Sequence, residues 1–186
     1  MKKIISLLVV LFILCGCSQK PKPDFNSGFS IDTYRCDMSA YKGLTSVNHN
    51  YLGVTVADVK KTIDEKGYGA FVLSRKNCEH CQLLMQYLNK AAEELGVYVY
   101  YLDGKSDVYP IVNTPDYDLL DELLKTIEEE LDGELALQTP HFFTIVNGEF
   151  IDSYVGVDAK DVDNPTDKEV EAIINKYKKS LEIFVE

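Results

Sequence analysis

Two cysteines three residues apart, in Cys78-Glu79-His80-Cys81, are the side chains of this 186-residue chain best suited to covalent chemistry. The run Ala70-Phe71-Val72-Leu73 before them reads as a buried strand. Gln82 to Leu88 after them carries apolar residues at helical spacing. A strand that feeds a C-x-x-C at the start of a helix sets the first sulfur against unpaired backbone N–H groups, which favour a thiolate. Cys78 is therefore the expected exposed nucleophile. Cys81 lies one helical turn deeper and is the expected resolving thiol. Exchange needs those two roles and access for a partner thiol. The spacers pull in opposite directions. His80, charged or as a donor, stabilises the Cys78 thiolate, whereas a carboxylate at Glu79 raises its pKa. His80 is expected to prevail, since Glu79 can point to solvent.

Other chemistries compete for the pair. Structural zinc usually takes a second ligand pair at similar spacing, and His49, His141 and Cys36 stand singly, so no metal is expected. A purely structural disulfide gains little from closing so short a loop. Cys36 is read as buried and inert. His141 sits close enough in sequence to Pro140 to approach the pair, but a histidine at a strand start is more often partly exposed. Tyr98, Tyr100 and Tyr101 read as core and cover.

Several elements must position the cysteines. Thr55-Val56-Ala57-Asp58 resembles a capping box, followed by the stripe Val56, Val59, Ile63 and a stop at Gly67. A strand over Ala70–Ser74 precedes the motif. The helix after it carries Leu84, Leu88, Ala91, Ala92 and Leu95, and ends at Gly96. Val97–Leu102 reads as a second core strand. Thr114 and Pro115 open a middle helix with Leu119, Leu120, Leu123, Leu124, Ile127 and Leu131 buried. Thr139-Pro140 leads into a strand over His141–Val146. Asn147-Gly148 is a hairpin turn, and Glu149–Val155 returns. Thr166 to Glu169 caps a last helix with Val170, Ile173, Ile174, Tyr177 and Leu181 inward. Residues 31–50 carry little signal, and Val47–Leu52 is a candidate edge strand.

The N-terminus sets the compartment. Met1-Lys2-Lys3 is basic, and Ile4–Cys15 is an apolar run of signal length, too short to span a bilayer. Leu14-Cys15-Gly16-Cys17 resembles the lipobox of bacterial lipoproteins. That resemblance implies cleavage after Gly16 and a lipid on Cys17; an ordinary signal peptide is the alternative. Residues 1–16 are then the signal peptide, 17–30 a polar tether and 31–186 one domain with its core over 47–182. The expected location is the extracytoplasmic face of the cell membrane, where disulfides persist. Losing Lys2 and Lys3 lowers the basic count from 19 to 17 against 30 acidic residues. That balance excludes a nucleic-acid footprint and disfavours lying flat on anionic lipid.

The order of elements, the C-x-x-C and Thr139-Pro140 together resemble the thioredoxin superfamily over roughly residues 47–182. The resemblance implies an α/β thioredoxin-like fold: a central mixed β-sheet flanked by helices, with an enlarged helical section, 103–139, before a cis-proline. It implies a redox-active Cys78–Cys81 disulfide and a substrate strand paired with the backbone at Thr139 and Pro140. Members with His before the second Cys tend to be oxidases or isomerases. The chain departs from the family at Asn77, where an aromatic is usual, and at Val72, where a buried acid is usual. Within the superfamily it looks like Gram-positive thioredoxin-like lipoproteins of the bacteriocin-transport-accessory kind. The expected function is a membrane-anchored thiol–disulfide oxidoreductase, monomeric and without cofactor. Its partners would be protein or peptide thiols and disulfides, with a membrane redox partner or exporter. A non-catalytic accessory lipoprotein is the alternative, and a small-ligand or metal-binding lipoprotein a third.

Overall fold

A computed structural model describes residues 20–104, 118–123, 125 and 138–185. The signal segment, Cys17 and most of the middle helix opened by Thr114 and Pro115 lie outside the described residues. Of that helix, residues 118–123 and 125 are described and are helical.

Five strands form one mixed sheet. In chain order the elements are β1 (Tyr51–Gly53), α1 (Val56–Asp64), β2 (Tyr68–Ser74), α2 (Glu79–Leu95), β3 (Val99–Asp103), β4 (His141–Val146), β5 (Glu149–Val155) and α3 (Asp167–Leu181). A 3₁₀ turn over Glu182–Phe184 follows. The strands lie in the order β1-β3-β2-β4-β5. β1, β3 and β2 run parallel, and β4 and β5 are antiparallel additions. This is the α/β thioredoxin-like fold. Parallel neighbours need a crossover, and α2 supplies it between β2 and β3. The central strand β2 is apolar on both sides because both of its faces are covered.

Alternation along the strands separates two cores. Ala70, Val72, Tyr101 and Phe142 face α2 and α3, where Leu84, Leu88, Ala92, Ile173, Tyr177 and Leu181 close the layer. Phe71, Leu73, Leu102, Phe143 and Ile145 face the other way, against Val59 of α1 and Leu120. Each such side chain, fully buried, stabilises the fold by roughly 1.5–3 kcal/mol.

The local signals act where the sequence places them. Asp58 accepts the Thr55 N–H at 2.8 Å and Glu169 the Thr166 N–H at 2.8 Å, so both capping boxes close. Asn147 (φ 55°) and Gly148 (φ 81°) are both left-handed, the conformation a two-residue hairpin turn requires. A Cβ on Gly148 would come 2.5 Å from the Ile63 carbonyl oxygen, so the turn also docks on the end of α1.

Three expectations are corrected. α1 ends at Asp64, and Lys66 (φ 54°), not Gly67, takes the left-handed position. Gly67 is small for another reason: the Phe29 ring lies 2.3 Å from where its Cβ would stand. That ring belongs to the stretch expected to be a free tether. Residues 20–30 instead lie along the domain, with Phe25 and Phe29 against Tyr68 at centroid distances of 5.3 and 5.7 Å, and Lys20 bonded to Asp152 at 2.6 Å. Two aromatics in an otherwise polar segment suffice to seat it. The edge strand is shorter and later than Val47–Leu52, and Val47 itself is exposed.

Residues 34–50 contribute far more than their sequence signals. Met38 and Tyr41 are fully buried, and Cys36 and His49 nearly so. His49 Nε2 pairs with the Cys36 carbonyl at 3.1 Å, and Gln82 at the start of α2 accepts the Lys42 N–H at 2.7 Å. Gln82 also donates to the carbonyls of Ala40 (3.0 Å) and Lys76 (2.6 Å). This irregular segment is thereby clamped over the cysteine end of α2.

Candidate active site

The site forms where β2 ends and α2 begins. Cys78 is the N-cap of α2, and its sulfur accepts the Cys81 N–H at 3.2 Å. Backbone turns from Arg75 (Cys78 N–H to the Arg75 carbonyl, 3.3 Å) bring the sulfur to the end of the sheet. Cys78 is partly exposed and Cys81 fully buried, and both are free thiols.

The Thr139-Pro140 peptide bond is cis. It brings the Thr139 carbonyl to 3.5 Å from the Cys78 sulfur, which donates to it as a thiol. In the dithiol form this carbonyl is thus occupied by the Cys78 thiol. The Pro140 carbonyl is also used, accepting the Gly156 N–H at 2.8 Å. Arg75 Nε donates to Thr139 Oγ1 at 2.8 Å, and Thr139 is one of the groups that lower the Cys78 thiol.

These neighbours divide the two thiols. The Cys78 thiol is held down to about 6, first by its hydrogen bond with Cys81, against the cost of burial. The Cys81 N–H, the Thr139 side chain and the Arg75 charge lower it further. Burial pushes the Cys81 thiol well up, and the proton it shares with the Cys78 sulfur holds it there. Backbone and side-chain donors from Arg75 and Ser74 oppose that rise. One sulfur is poised as a thiolate near neutral pH, and the other is kept protonated in the core.

Glu79 and His80, the spacers to which sequence reasoning gave the tuning of Cys78, are both exposed on the first turn of α2. Neither is among the largest influences on the Cys78 thiol. The Cys81 thiol takes the largest part, and Arg75, which sequence reasoning missed, adds a smaller one. Its signal was present, a cation three residues before the first cysteine. Only the fold shows that its charge lies near the sulfur, with its guanidinium held on Thr139.

His141 is buried, not partly exposed as expected. It belongs to the sheet face opposite Cys81, with Nε2 paired to Ser153 Oγ at 2.7 Å and its ring edge-on to Phe143. Burial lowers its pKa to about 4, so it is neutral at physiological pH. Cys36 is buried, and its sulfur meets the Tyr51 carbonyl at 3.8 Å. Burial raises that thiol, which is the inert kind. No group of three or more His, Cys, Asp or Glu side chains suited to a metal occurs among the described residues.

No family model matches the chain, and no curated protein matches it. Solved structures do. Thioredoxin O2 from Arabidopsis thaliana, in the oxidised state, is 14% identical, covers 75% of this chain and 98% of its own, and superposes with a TM-score of 0.42. Thioredoxin from Trypanosoma brucei brucei is 14% identical over 73% of this chain and 96% of its own, with a TM-score of 0.42. Thioredoxin f from spinach chloroplast is 16% identical over 70% of this chain and 95% of its own, with a TM-score of 0.38.

Proposed function

We propose that this chain is a thiol–disulfide oxidoreductase, anchored to the outer face of a bacterial membrane through Cys17 and acting on cysteines of secreted or surface proteins. One observation carries the reading. A partly exposed sulfur, Cys78, sits at a helix N-terminus with its thiol lowered to about 6, beside a buried partner thiol. A structural pair has no need of that asymmetry; exchange does.

The favoured direction is oxidation of substrate thiols. A stabilised Cys78 thiolate stabilises the reduced protein, which makes its disulfide the stronger oxidant. A substrate thiolate attacks Cys78 of the Cys78–Cys81 disulfide; the S–S bond breaks and Cys81 leaves as a thiolate that takes a proton. A second substrate thiolate then attacks the first substrate sulfur, and Cys78 leaves. The substrate gains a disulfide, and the protein holds the two electrons as a dithiol. A membrane redox partner reoxidises it, and reduction of a substrate runs the same steps in reverse. The membrane address rests on the lipobox-like Leu14-Cys15-Gly16-Cys17 and extends to lipoproteins of the bacteriocin-transport-accessory kind.

A Cys81→Ala variant expressed in cells should trap substrates as mixed disulfides that vanish in the Cys78→Ala/Cys81→Ala double variant. Absence of any Cys78-dependent adduct, with full biological function retained by the double variant, would favour the accessory reading instead. Labelling with a radioactive fatty acid, lost in Cys17→Ala, tests the anchor.

A further inference from the structure

Cys81 has a chemical problem that Cys78 does not. In either direction of exchange it must gain or lose a proton, yet it is fully buried. Val72, in the same core as Cys81, is aliphatic and offers no proton. Cys78 can share a proton with Cys81, and a chain of protein hydroxyls is a second carrier.

Such a chain is present. Ser74, at the end of β2, lies buried on the sheet face that α2 and Cys81 cover, and its hydroxyl is one of the groups that lower the Cys81 thiol. Tyr41 Oη donates to Ser74 Oγ at 3.0 Å and lies 3.1 Å from Tyr101 Oη. Tyr101 bonds Asp103 two residues along β3. Strand register explains the line. Ser74 is the direct partner of Asp103, and Val72 of Tyr101, so Ser74, Tyr101 and Asp103 share the sheet face that α2 covers. Tyr41 comes from the clamped segment over that face, and its ring sits edge-on to Tyr101 at 6.1 Å. Ser74, Tyr41 and Tyr101 are buried and Asp103 is partly exposed, so the line runs from the sulfur toward solvent.

We propose that Ser74, Tyr41, Tyr101 and Asp103 form a proton relay that serves Cys81 during exchange. The proposal rests on the oxidoreductase reading. When Cys81 leaves, Ser74 passes its proton to the sulfur, Tyr41 refills Ser74, Tyr101 refills Tyr41 and Asp103 returns a proton from solvent to Tyr101. Tyr41 already donates to Ser74, which is the direction this step needs. When Cys81 attacks, every hop reverses and its proton ends on the Asp103 carboxylate. One proton moves, no electrons do, and no other reactant is required. Among the described residues, the groups that face Cys81 are Cys78 from α2, Ser74 and Arg75 from the end of β2, Tyr41 from the N-terminal segment, and Tyr101 with Asp103 behind them from β3. Among these, Asp103 is the carboxylate.

Ellman's reagent separates the two thiols. Attack by Cys78 on the reduced protein releases one chromophore at a rate that depends on reagent concentration. Attack by Cys81 on the resulting mixed disulfide releases a second at a rate that does not, and Cys81→Ala identifies that phase by losing it. In Tyr41→Phe, Tyr101→Phe and Asp103→Asn the second phase should slow by about tenfold or more at neutral pH, the deficit narrowing as pH rises and hydroxide takes over. The first phase should be unchanged, which also reports an intact fold, and Asp103→Glu should restore the second. A second phase with wild-type rate and pH profile in all three variants overturns the relay alone. Equal slowing of both phases, or a deficit that does not narrow with pH, overturns it in favour of a packing role. Absence of a second phase in the wild-type protein overturns the exchange reading, and the relay with it.

Discussion

The two faces of the sheet are built on different principles. Under α1, Phe71, Phe143 and Phe150 pack ring against ring, with Phe71 and Phe143 stacked at 5.3 Å, among Val59, Leu73 and Ile145. Among the described residues its buried polar groups are few, His141 chief among them. Under α2 and α3 the same sheet buries hydroxyls beside the cysteine. Tyr41, Ser74 and Tyr101 are bonded to one another there, and Tyr51 Oη donates to the Met85 carbonyl at 2.6 Å. The first face answers to volume, the second to individual atoms. A core that must host thiol chemistry carries bonded hydroxyls at a desolvation cost, though Tyr177 Oη in the same core is buried without a partner. A core that only holds the sheet together has no such need.

That contrast can be broken at several points. The largest effect is expected at the site itself: Cys78→Ala should abolish turnover of a dithiol or disulfide substrate while leaving the circular dichroism spectrum unchanged. On the α1 face, Phe143→Ala should cost about 3–5 kcal/mol in urea unfolding and yet leave Cys78 alkylation at its wild-type rate in the folded protein. A comparable loss from Tyr41→Phe, which keeps volume and deletes one oxygen, would erase the distinction between the faces.

His141 is the exception on the volume-governed face, and pH sharpens it. Its folded pKa of about 4 lies below the ordinary 6.5. The unfolded chain therefore takes up a proton that the folded protein refuses as pH falls between those values. Stability is lost over that window, by on the order of 3 kcal/mol when complete, and the loss levels off below the folded pKa. Urea midpoints between neutral pH and pH 4 should fall less steeply in His141→Gln than in wild type. Parallel slopes would mean that the imidazole is not the group that titrates.

A smaller effect separates Arg75 from His80. Iodoacetamide should alkylate Cys78 with a midpoint near pH 6, the position to which its thiol is lowered. Arg75→Gln should raise that midpoint; a one-unit rise slows alkylation at the old midpoint by about fivefold. His80→Ala should do less. The opposite ranking would return the tuning of Cys78 to the spacer. Smallest is the cap of α1: Asp58→Ala should cost about 1 kcal/mol by thermal unfolding with no change in thiol reactivity.

Most of the frame was legible before any coordinates. β4 and β5 lie at His141–Val146 and Glu149–Val155, where the sequence pattern puts them, because an Asn-Gly turn leaves little freedom of register. α2 and α3 were equally plain, since capping residues, a glycine stop and apolar stripes are all local signals. The stretch before β1 was not legible. Met38, Tyr41 and His49 lie in irregular backbone with no period to read, and their burial follows from where Gln82 and the sheet stand in space. Arg75 and Ser74 were passed over for a related reason. Each is ordinary at the end of a strand until the fold shows which sulfur stands above it.

The chain by itself determined the chemistry on offer and the elements that present it. Two cysteines one helical turn apart, at a helix start, after a strand and with an X-Pro before the hairpin, follow from short-range sterics and hydrogen bonding. Only the tertiary structure decided how the two sulfurs differ. Arg75 is held by Thr139, sixty-four positions away in sequence, and Ser74 meets a tyrosine thirty-three residues before it. Thiol acidity depends on charge, burial and donors within a few ångströms. Those neighbours come from four separate segments of the chain, and local rules carry no record of which segments will meet.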